Sequence, residues 1–169
     1  HLNDNSSIPN ISVDDIWGNL RSPGYCWYNN DPTTYKETYG ALYNFYVIET
    51  GLLCPIGWHV PDKSDWEKLE SYLGGYKIAG GKLKDYNSSK WEEPNPCIVN
   101  SFGFAALPGG QRLNISGRYF EIGLTGNWWT RVSDNNSQAI SISMTHESTE
   151  LNKYITNKSR GLSVRCIKD

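Results

Sequence analysis

Hydrophobic and polar residues alternate most regularly in the last third of the chain. Between residues 138 and 145, three apolar side chains alternate with three small hydroxyl side chains: Ile140, Ile142 and Met144 against Ser141, Ser143 and Thr145. Because successive side chains of a strand point to opposite faces of a sheet, this pattern predicts a strand with one buried face and one small polar face. Such a polar face is a shallow, adaptable platform for a ligand.

The rest of the second half also predicts short strands. After about residue 76, brief apolar or β-branched stretches are separated by clusters of Gly, Asn and Ser, which is typical of strands joined by turns. The predicted strands are 80–84, 102–107, 115–122, 127–132, 138–145, 153–156 and 161–167, with one more near the start at 13–20.

Helical periodicity is confined to the first half. In 38–50, apolar residues recur at three- and four-residue spacing, at Leu42, Phe45 and Tyr46. This spacing predicts an amphipathic helix, which Gly51 would end.

A second helix is predicted to begin near Ser64. Ser64 and Glu67 stand three residues apart, as in a capping box. Trp66, Leu69 and Leu73 would share the buried face of this helix, and the following glycine pair would end it.

These elements indicate a single α+β domain, with two helices packed on short antiparallel sheets and many loops. The 169 residues include 16 Gly, 7 Trp and 11 Tyr, which suits short strands and turns better than a helical bundle. The polar stretch 1–12 is predicted to be an N-terminal tail, and 13–169 the domain. Because the chain opens with His1 rather than Met, we expect a mature or trimmed chain whose leader has been removed.

Charge and hydropathy argue against two kinds of partner. The 16 basic and 18 acidic residues give a net charge of −2 and are well mixed, so no basic field would hold a nucleic acid. No apolar run approaches the roughly 20 residues of a membrane-spanning helix. We therefore expect no membrane contact by this chain, and any lipid anchor would lie upstream.

The four cysteines favour disulfides. Cys26, Cys54, Cys97 and Cys166 show no C-x-x-C spacing, so an oxidising compartment is a better interpretation than a zinc or redox centre. Of the three possible pairings we favour Cys54–Cys166, which would tie the middle of the chain to its last strand, and Cys26–Cys97 is the remainder. The alternative is four reduced, buried thiols in a cytosolic protein.

Several blocks, taken in order, resemble a known family. They are YGALYNFYVI, CPIGWHVPDKSDWEKLESYLGG, the glycine-lysine stretch at 81–84, SFGFAALPGGQR, GNWWTR and GLSVRCIKD. Over about residues 13–169 they resemble the Fibrobacter succinogenes major paralogous domain. That family is distantly similar to the C-type-lectin-like fold of formylglycine-generating enzymes and of retroelement-diversified variable proteins.

The resemblance implies a C-type-lectin-like fold and a location outside the cell. Family members are secreted or displayed on the outer surface of bacteria, often as lipoproteins, and related variable proteins can be phage-encoded. The family has no established single activity. The cysteine that relatives often carry before the Tyr-Gly of the first helix is replaced here by TTYKE, so the resemblance supplies no partner for Cys26.

The resemblance also places a ligand face in the C-terminal third, where variable proteins of this fold carry their diversified positions before a constant ending. Trp, Tyr and Arg mixed with Ser and Asn are favoured at recognition surfaces. Because adjacent side chains alternate, we expect Trp128 in the core and Trp129 at the surface. The predicted ligand-binding residues are Trp129, Thr130, Arg131, Ser133, Asp134, Ser141, Ser143, Thr145, His146, Glu147, Asn152 and Tyr154. The alternative is an ordinary hairpin whose outer face meets only water.

Metal and catalytic sites receive little support. Glu93-Pro94-Asn95 matches the calcium motif of animal C-type lectins, but calcium takes about six to eight oxygen ligands, so Glu93 and Asn95 are weak candidates. His59 and His146 have no metal-ligand spacing, and no Gly-x-Ser-x-Gly elbow is present. We expect no cofactor and no enzyme activity.

Three functions remain open. The favoured one is a binding module for a protein or glycan ligand on a cell or phage surface, with a variable binding face as its specific form. The second is a structural or adhesive module of a bacterial surface protein, without a small-molecule pocket. The third and least favoured is a copper-dependent oxidase related to formylglycine-generating enzymes.

Overall fold

The structure, a computed structural model, describes residues 1–85, 89–97 and 103–169 and has a mixed α+β fold. Its helices are α1 (Asp14–Asn19), α2 (Pro32–Tyr39), α3 (Phe45–Glu49), α4 (Lys63–Tyr72) and α5 (Tyr76–Leu83), with a 3-10 turn at Tyr28–Asn30. The longest of these, α4, has ten residues, so none exceeds about three turns.

The strands of the described residues form three sheets. They are β1 (Tyr25–Cys26), β2 (Leu42–Tyr43), β3 (Trp58–His59), β4 (Gly109–Arg112), β5 (Tyr119–Ile122), β6 (Thr125–Ser133), β7 (Gln138–Thr145), β8 (Asn152–Asn157) and β9 (Ile167–Lys168). Strand β1 pairs with β2, and β3 with β9, while the main sheet has the order β5-β4-β6-β7-β8. In the main sheet β4 and β6 are parallel and the other neighbours are antiparallel.

The core lies on both faces of β6. Trp128 packs with Trp66 of α4 and Leu83 of α5 in one apolar cluster. Trp129 packs with Phe45 of α3 and Leu162 in another. Both of these successive residues are therefore buried. Helices α4 and α5 cover the face of Trp128, whereas α3 and the C-terminal segment cover the face of Trp129.

Helix α4 is confirmed, but its cap is not the predicted one. The Asp62 carboxylate accepts hydrogen bonds from the backbone N–H groups of Ser64 and Asp65 at 2.8 and 3.1 Å. The Asp65 side chain accepts from the Asp62 N–H at 2.9 Å, which completes the capping box. The predicted Ser64–Glu67 box is wrong because the helix is capped two residues earlier.

The single helix predicted over 38–50 is wrong. This stretch contains the end of α2, strand β2 and helix α3, because Gly40 adopts a φ of +72° and ends α2. Asn44 then takes an extended conformation before α3. Its buried side chain accepts from the Gly24 N–H at 3.1 Å and donates to the Ser22 carbonyl at 2.8 Å. Long-range hydrogen bonds thus outweigh the local periodicity.

Two of the predicted strands are helical. Residues 13–20 contain α1, with Trp17 fully buried, and residues 80–83 of the predicted strand 80–84 belong to α5. At Gly80 an added Cβ would lie 2.2 Å from the carbonyl oxygen of Glu150. The close approach of α5 to the loop at Glu150 therefore requires glycine at position 80. The helix continues through this glycine.

The strand predictions in the last third agree better with the structure. Those at 127–132, 138–145 and 153–156 lie within β6, β7 and β8 and are confirmed. The 115–122 segment contracts to β5, and 161–167 forms isolated bridges at residues 161–163 before β9. Of 102–107, residue 102 lies outside the described residues, and the part that is described forms only the bridge of Ala106.

The stretch predicted as a polar tail packs on the domain. Leu2 and Ile8 are buried against Val47. The Asn3 N–H donates to the Leu52 carbonyl at 2.8 Å, and Asn10 bridges to β1. Two apolar side chains and these backbone hydrogen bonds anchor a segment whose composition is otherwise polar.

The predicted disulfide Cys54–Cys166 is confirmed and joins residues 112 apart in sequence. Both cysteines lie with the apolar cluster that contains Trp129. The bond therefore links the middle of the chain to the segment that covers β6.

The predicted pairing Cys26–Cys97 is wrong, since both thiols are free. Cys26 is fully buried against Trp17 and Leu42, where burial raises the pKa of its thiol. Cys97 lies on a loop with its Sγ 3.0 Å from Oδ1 of Asn95. The two cysteines belong to different parts of the fold.

Candidate functional site

The polar face predicted for 138–145 lies on the main sheet. Residues directly opposite one another in an antiparallel pair share a face, so the register decides which side chains accompany the hydroxyl groups of β7. The pairs on this face are Thr125–Thr145, Asn127–Ser143, Trp129–Ser141, Ser143–Asn152, Ser141–Tyr154 and Ala139–Thr156.

This face is the floor of an open cavity of about 530 Å³, here called the polar basin. Its volume lies within the range of about 300–1,000 Å³ that small-molecule sites occupy. Nearly all of the lining residues carry polar groups. They are Gln111, Asn114, Glu121, Thr125, Asn127, Gln138, Ser141, Ser143, Thr145, Tyr154, Ile155, Thr156, Asn157, Arg160 and Leu162.

The floor of the basin is polar although it is withdrawn from solvent. Ser141 and Ser143 are 3% exposed, and Gln111, Asn127 and Thr156 are each 8% exposed. Side chains at such depth are usually apolar, because burying a polar group costs free energy unless it is hydrogen-bonded. The hydrogen-bond partners of these residues therefore indicate what the basin is built to do.

One part of the basin is held by a continuous chain of hydrogen bonds. Arg160 Nη1 donates to Gln111 Oε1, and Gln111 Nε2 donates to Glu121 Oε2, both at 2.7 Å. Thr125 Oγ1 donates to the same carboxylate oxygen at 3.0 Å and accepts from Asn127 Nδ2 at 2.8 Å. The charges of Arg160 and Glu121 strengthen this chain, which fixes its side chains in place before any ligand arrives.

The backbone around Glu121 is strained. Glu121 has a φ of +65°, in the left-handed region that costs a non-glycine residue roughly 1–2 kcal/mol. Opposite it, Gly110 has a φ of +64°, and an added Cβ would lie 2.5 Å from the Phe120 carbonyl oxygen. Strain of this kind persists where the surroundings over-determine the backbone, and it is concentrated at functional sites.

Other polar groups of the basin are left open. Within the part of the chain that the structure describes, no hydrogen bond reaches the hydroxyl groups of Ser143 and Thr145, Oδ1 of Asn127, Oε1 of Glu121 or Nη2 of Arg160. Buried polar groups are nearly always satisfied by protein, water or ligand. Ser143 and Asn127 are buried residues and the other three are half-buried, but none of the five atoms is sealed from solvent, so water can occupy these positions until a ligand replaces it.

Four of the predicted ligand-binding residues meet here: Ser141, Ser143, Thr145 and Tyr154. Tyr154 stands at the rim with 52% of its surface exposed. Asn152 pairs with Ser143 one step further along β8 but does not line the basin.

The expectation that Trp129 lies at the surface is wrong, and both Trp129 and Thr130 are fully buried. The Trp129 indole N–H donates to the Tyr43 carbonyl at 2.7 Å, and the Thr130 hydroxyl donates to the Ile140 carbonyl at 2.9 Å. Alternation does not bring Trp129 to the surface, since both faces of β6 are covered at this point.

The remaining predicted residues do not line the basin. Arg131 donates to the Asp62 carboxylate at 2.7 Å, beside the start of α4. Ser133 and Asp134 are exposed at the turn between β6 and β7. His146 and Glu147 follow β7, with His146 Nε2 3.6 Å from Glu147 Oε1.

The weak calcium candidates lie on a loop. The Asn95 N–H donates to Glu93 Oε2 at 3.3 Å, which is a local turn contact. Over residues 1–85, 89–97 and 103–169, no group of three or more His, Cys, Asp or Glu side chains is placed to hold a metal ion.

Several basin residues were missed by sequence reasoning: Gln111, Asn114, Glu121, Thr125, Asn127, Gln138, Thr156, Asn157 and Arg160. The sequence did carry a signal for two of them, because Thr125 and Asn127 alternate with Gly126 and Trp128. Pairing that pattern with β7 would have put both on the polar face. Gln111 and Arg160 gave no such signal, since a crossover and a loop bring them in.

Comparison with known proteins identifies a family but no individual relative. The family model for the Fibrobacter succinogenes major domain matches residues 2–168. No curated protein and no solved structure matches the chain. Among the described residues no helix has the length and apolar character needed to cross a membrane.

Proposed function

Because the chain belongs to the Fibrobacter succinogenes major domain family, we propose that it is a ligand-binding module whose ligand occupies the polar basin. We further propose a C-type-lectin-like variant of the α+β fold, secreted or displayed on the outer surface of a bacterium or encoded by a phage. The Cys54–Cys166 disulfide supports an oxidising location.

The single observation that carries this proposal is the combination of burial and open hydrogen-bonding capacity. Ser143 is 3% exposed and Asn127 is 8% exposed, yet among the described residues the Ser143 hydroxyl and Asn127 Oδ1 have no partner. Around them, hydrogen bonds already link the side chains from Arg160 to Thr125. A preformed concave site with a few open polar groups is the usual form of a binding site.

The test is a glycan and surface-protein array probed with the purified chain, with calcium and with chelator. The informative variant is Ser143→Ala combined with Thr145→Val, which removes two open hydroxyl groups while nearly preserving shape. The matched control is Ser133→Ala, at the exposed turn outside the basin. We expect binding to fall about tenfold or more in the basin variant, from hydrogen bonds of roughly 1 kcal/mol each, and to persist in the control.

Two outcomes would contradict the proposal. Binding that the basin variant leaves intact would place the ligand elsewhere. The absence of any bound glycan or protein would favour a structural module instead.

A further inference from the structure

We infer that the polar basin takes an uncharged saccharide, held by its hydroxyl groups in the basin and by one ring face on Tyr154. This inference rests on the proposed function of the same basin and names its ligand class. Four properties of the lining lead to it: charge, hydrogen-bonding pattern, an aromatic rim and size.

The charges that line the basin cancel. Of the lining residues, Glu121 and Arg160 are the charged ones, and Gln111 joins them by two hydrogen bonds of 2.7 Å. A phosphate, sulfate or carboxylate would need cationic donors in excess, and an ammonium group would need carboxylates in excess. The basin offers neither, so an uncharged ligand fits best.

The open groups demand a ligand that both donates and accepts. Asn127 Oδ1 and Glu121 Oε1 accept only, Arg160 Nη2 donates only, and the hydroxyls of Ser143 and Thr145 do either. A ligand with carbonyl or ether oxygens alone would leave the two acceptors without partners, at a cost in affinity. A set of neighbouring hydroxyl groups can satisfy all five positions.

The rim supplies an apolar plane. Tyr154 pairs with Ser141 across the sheet and is half-exposed. An aromatic ring gives a flat, rigid contact surface with a polar tip, which suits a ring with C–H groups on one face and hydroxyls at its edge. Ile155 and Leu162 contribute the other apolar contacts.

The polar side chains that line the basin disfavour a purely apolar ligand of similar volume. Thirteen of the fifteen residues that line this cavity of about 530 Å³ have polar side chains, and a lipid chain would leave many of these groups without hydrogen bonds. One or two sugar rings would instead replace water with equivalent hydrogen bonds.

The experiment is isothermal titration calorimetry of the 169-residue chain. The neutral probes are D-glucose, D-galactose, D-mannose and their β-linked disaccharides, and the charged probes are D-glucuronate and D-glucosamine. We expect at least one neutral sugar to bind at least tenfold more tightly than either charged analogue. Tyr154→Ala should weaken that binding about tenfold, whereas Tyr76→Ala, at a tyrosine of similar exposure on α5, should not.

A pair of reciprocal variants tests the charge argument. Glu121→Gln leaves Arg160 uncompensated and should shift the preference toward D-glucuronate by about tenfold. Arg160→Gln leaves Glu121 uncompensated and should shift it toward D-glucosamine by a similar factor. Circular dichroism of each variant checks that the fold is retained, and a variant that unfolds is replaced by Thr145→Val, which is expected to weaken neutral-sugar binding.

The failures of the two proposals are distinguishable. One outcome is that a protein on the array binds in a way that depends on Ser143 and Thr145, while no neutral sugar gives a binding signal in calorimetry. The basin is then a binding site, but the saccharide inference is overturned. Tighter binding of a charged sugar to the unchanged chain would overturn it as well. Sugar binding that ignores Tyr154, Ser143 and Thr145 would overturn both proposals.

Discussion

Trp128 and Trp129 show that the exposure of a strand residue depends on which elements cover its face of the sheet. The two indoles point to opposite faces of β6, and both are buried, at 4% and 0% exposure. Ser141 and Ser143 share the face of Trp129, where Leu162 packs, but their own side chains line the polar basin. The same strand pair therefore passes from core to polar basin within a few residues.

Trp129→Phe is expected to destabilise the fold by about 1–3 kcal/mol, since it removes the hydrogen bond to the Tyr43 carbonyl and leaves a gap in a packed cluster. Urea denaturation measures the change. Trp58→Phe is the matched control because Trp58 is 45% exposed, and it should cost less than about 0.5 kcal/mol. Equal effects from both substitutions would contradict the burial of Trp129.

At the scale of elements, α4 depends on one carboxylate. Asp62 accepts hydrogen bonds from Ser64 and Asp65 and also pairs with Arg131 of β6 at 2.7 Å. The hydrogen bond from Arg131, followed by that from Ser64, holds the pKa of Asp62 well below its usual range. One side chain thus starts the helix and ties it to the main sheet.

Asp62→Ala is expected to lower the free energy of unfolding by about 1–2 kcal/mol, the usual cost of losing a helix cap. Ser64→Ala should cost less, since Ser64 contributes to the cap only through its own bond to Asp62. Chemical denaturation at neutral pH compares the two variants. A larger loss for Ser64→Ala would restore the cap that the sequence pattern predicts.

The elements that sequence reasoning predicted well are those whose signal is local. The alternation in 138–145 predicts the extent of β7, and the spacing of Trp66 and Leu69 predicts α4. The predictions fail where residues distant in sequence determine the local structure. Gly80 is an example, because it lies in a helix and only glycine fits beside the Glu150 carbonyl. The basin is an intermediate case, since its β7 half follows from alternation and its Arg160 end does not.

At the scale of the whole molecule, the C-terminal segment closes the fold. Strand β9 pairs with β3, and beside it His59 hydrogen-bonds through Nδ1 to Asp169 while its Nε2 lies 3.3 Å from Asp65. The hydrogen bond with Asp169, reinforced by Asp65, raises the pKa of His59, although burial and Arg131 oppose the shift.

This arrangement predicts a pH-dependent contribution to stability. A raised folded pKa means that protonated His59 favours the folded state, so its contribution is fully present below the unfolded value of about 6.5 and is lost as the pH rises through the higher folded pKa. Denaturation of the native chain and of His59→Gln at about pH 5.5 and pH 8.5 should show a larger difference at the lower pH. A difference that does not change with pH would contradict the ion-pair geometry.

The Cys54–Cys166 bond closes a long loop and is expected to stabilise the fold by about 4–5 kcal/mol in the chain-entropy description. The double variant Cys54→Ala, Cys166→Ala should lose most of this, and a reducing agent should destabilise it no further. Thiol titration in denaturant should find two reactive groups per chain before reduction, those of Cys26 and Cys97. A count of four would refute the Cys54–Cys166 bond, and a count of zero would refute the free thiols of Cys26 and Cys97.

The same bond makes residues 54–166 a covalent ring, and every residue that lines the polar basin lies within it. A protease that nicks one exposed turn inside the ring opens it without releasing a fragment, because each piece remains attached through the sulfur bridge. The severed strands stay at high local concentration and can pair again in the same register. We therefore expect the basin of a chain nicked at one such turn to stay assembled as long as the surroundings stay oxidising.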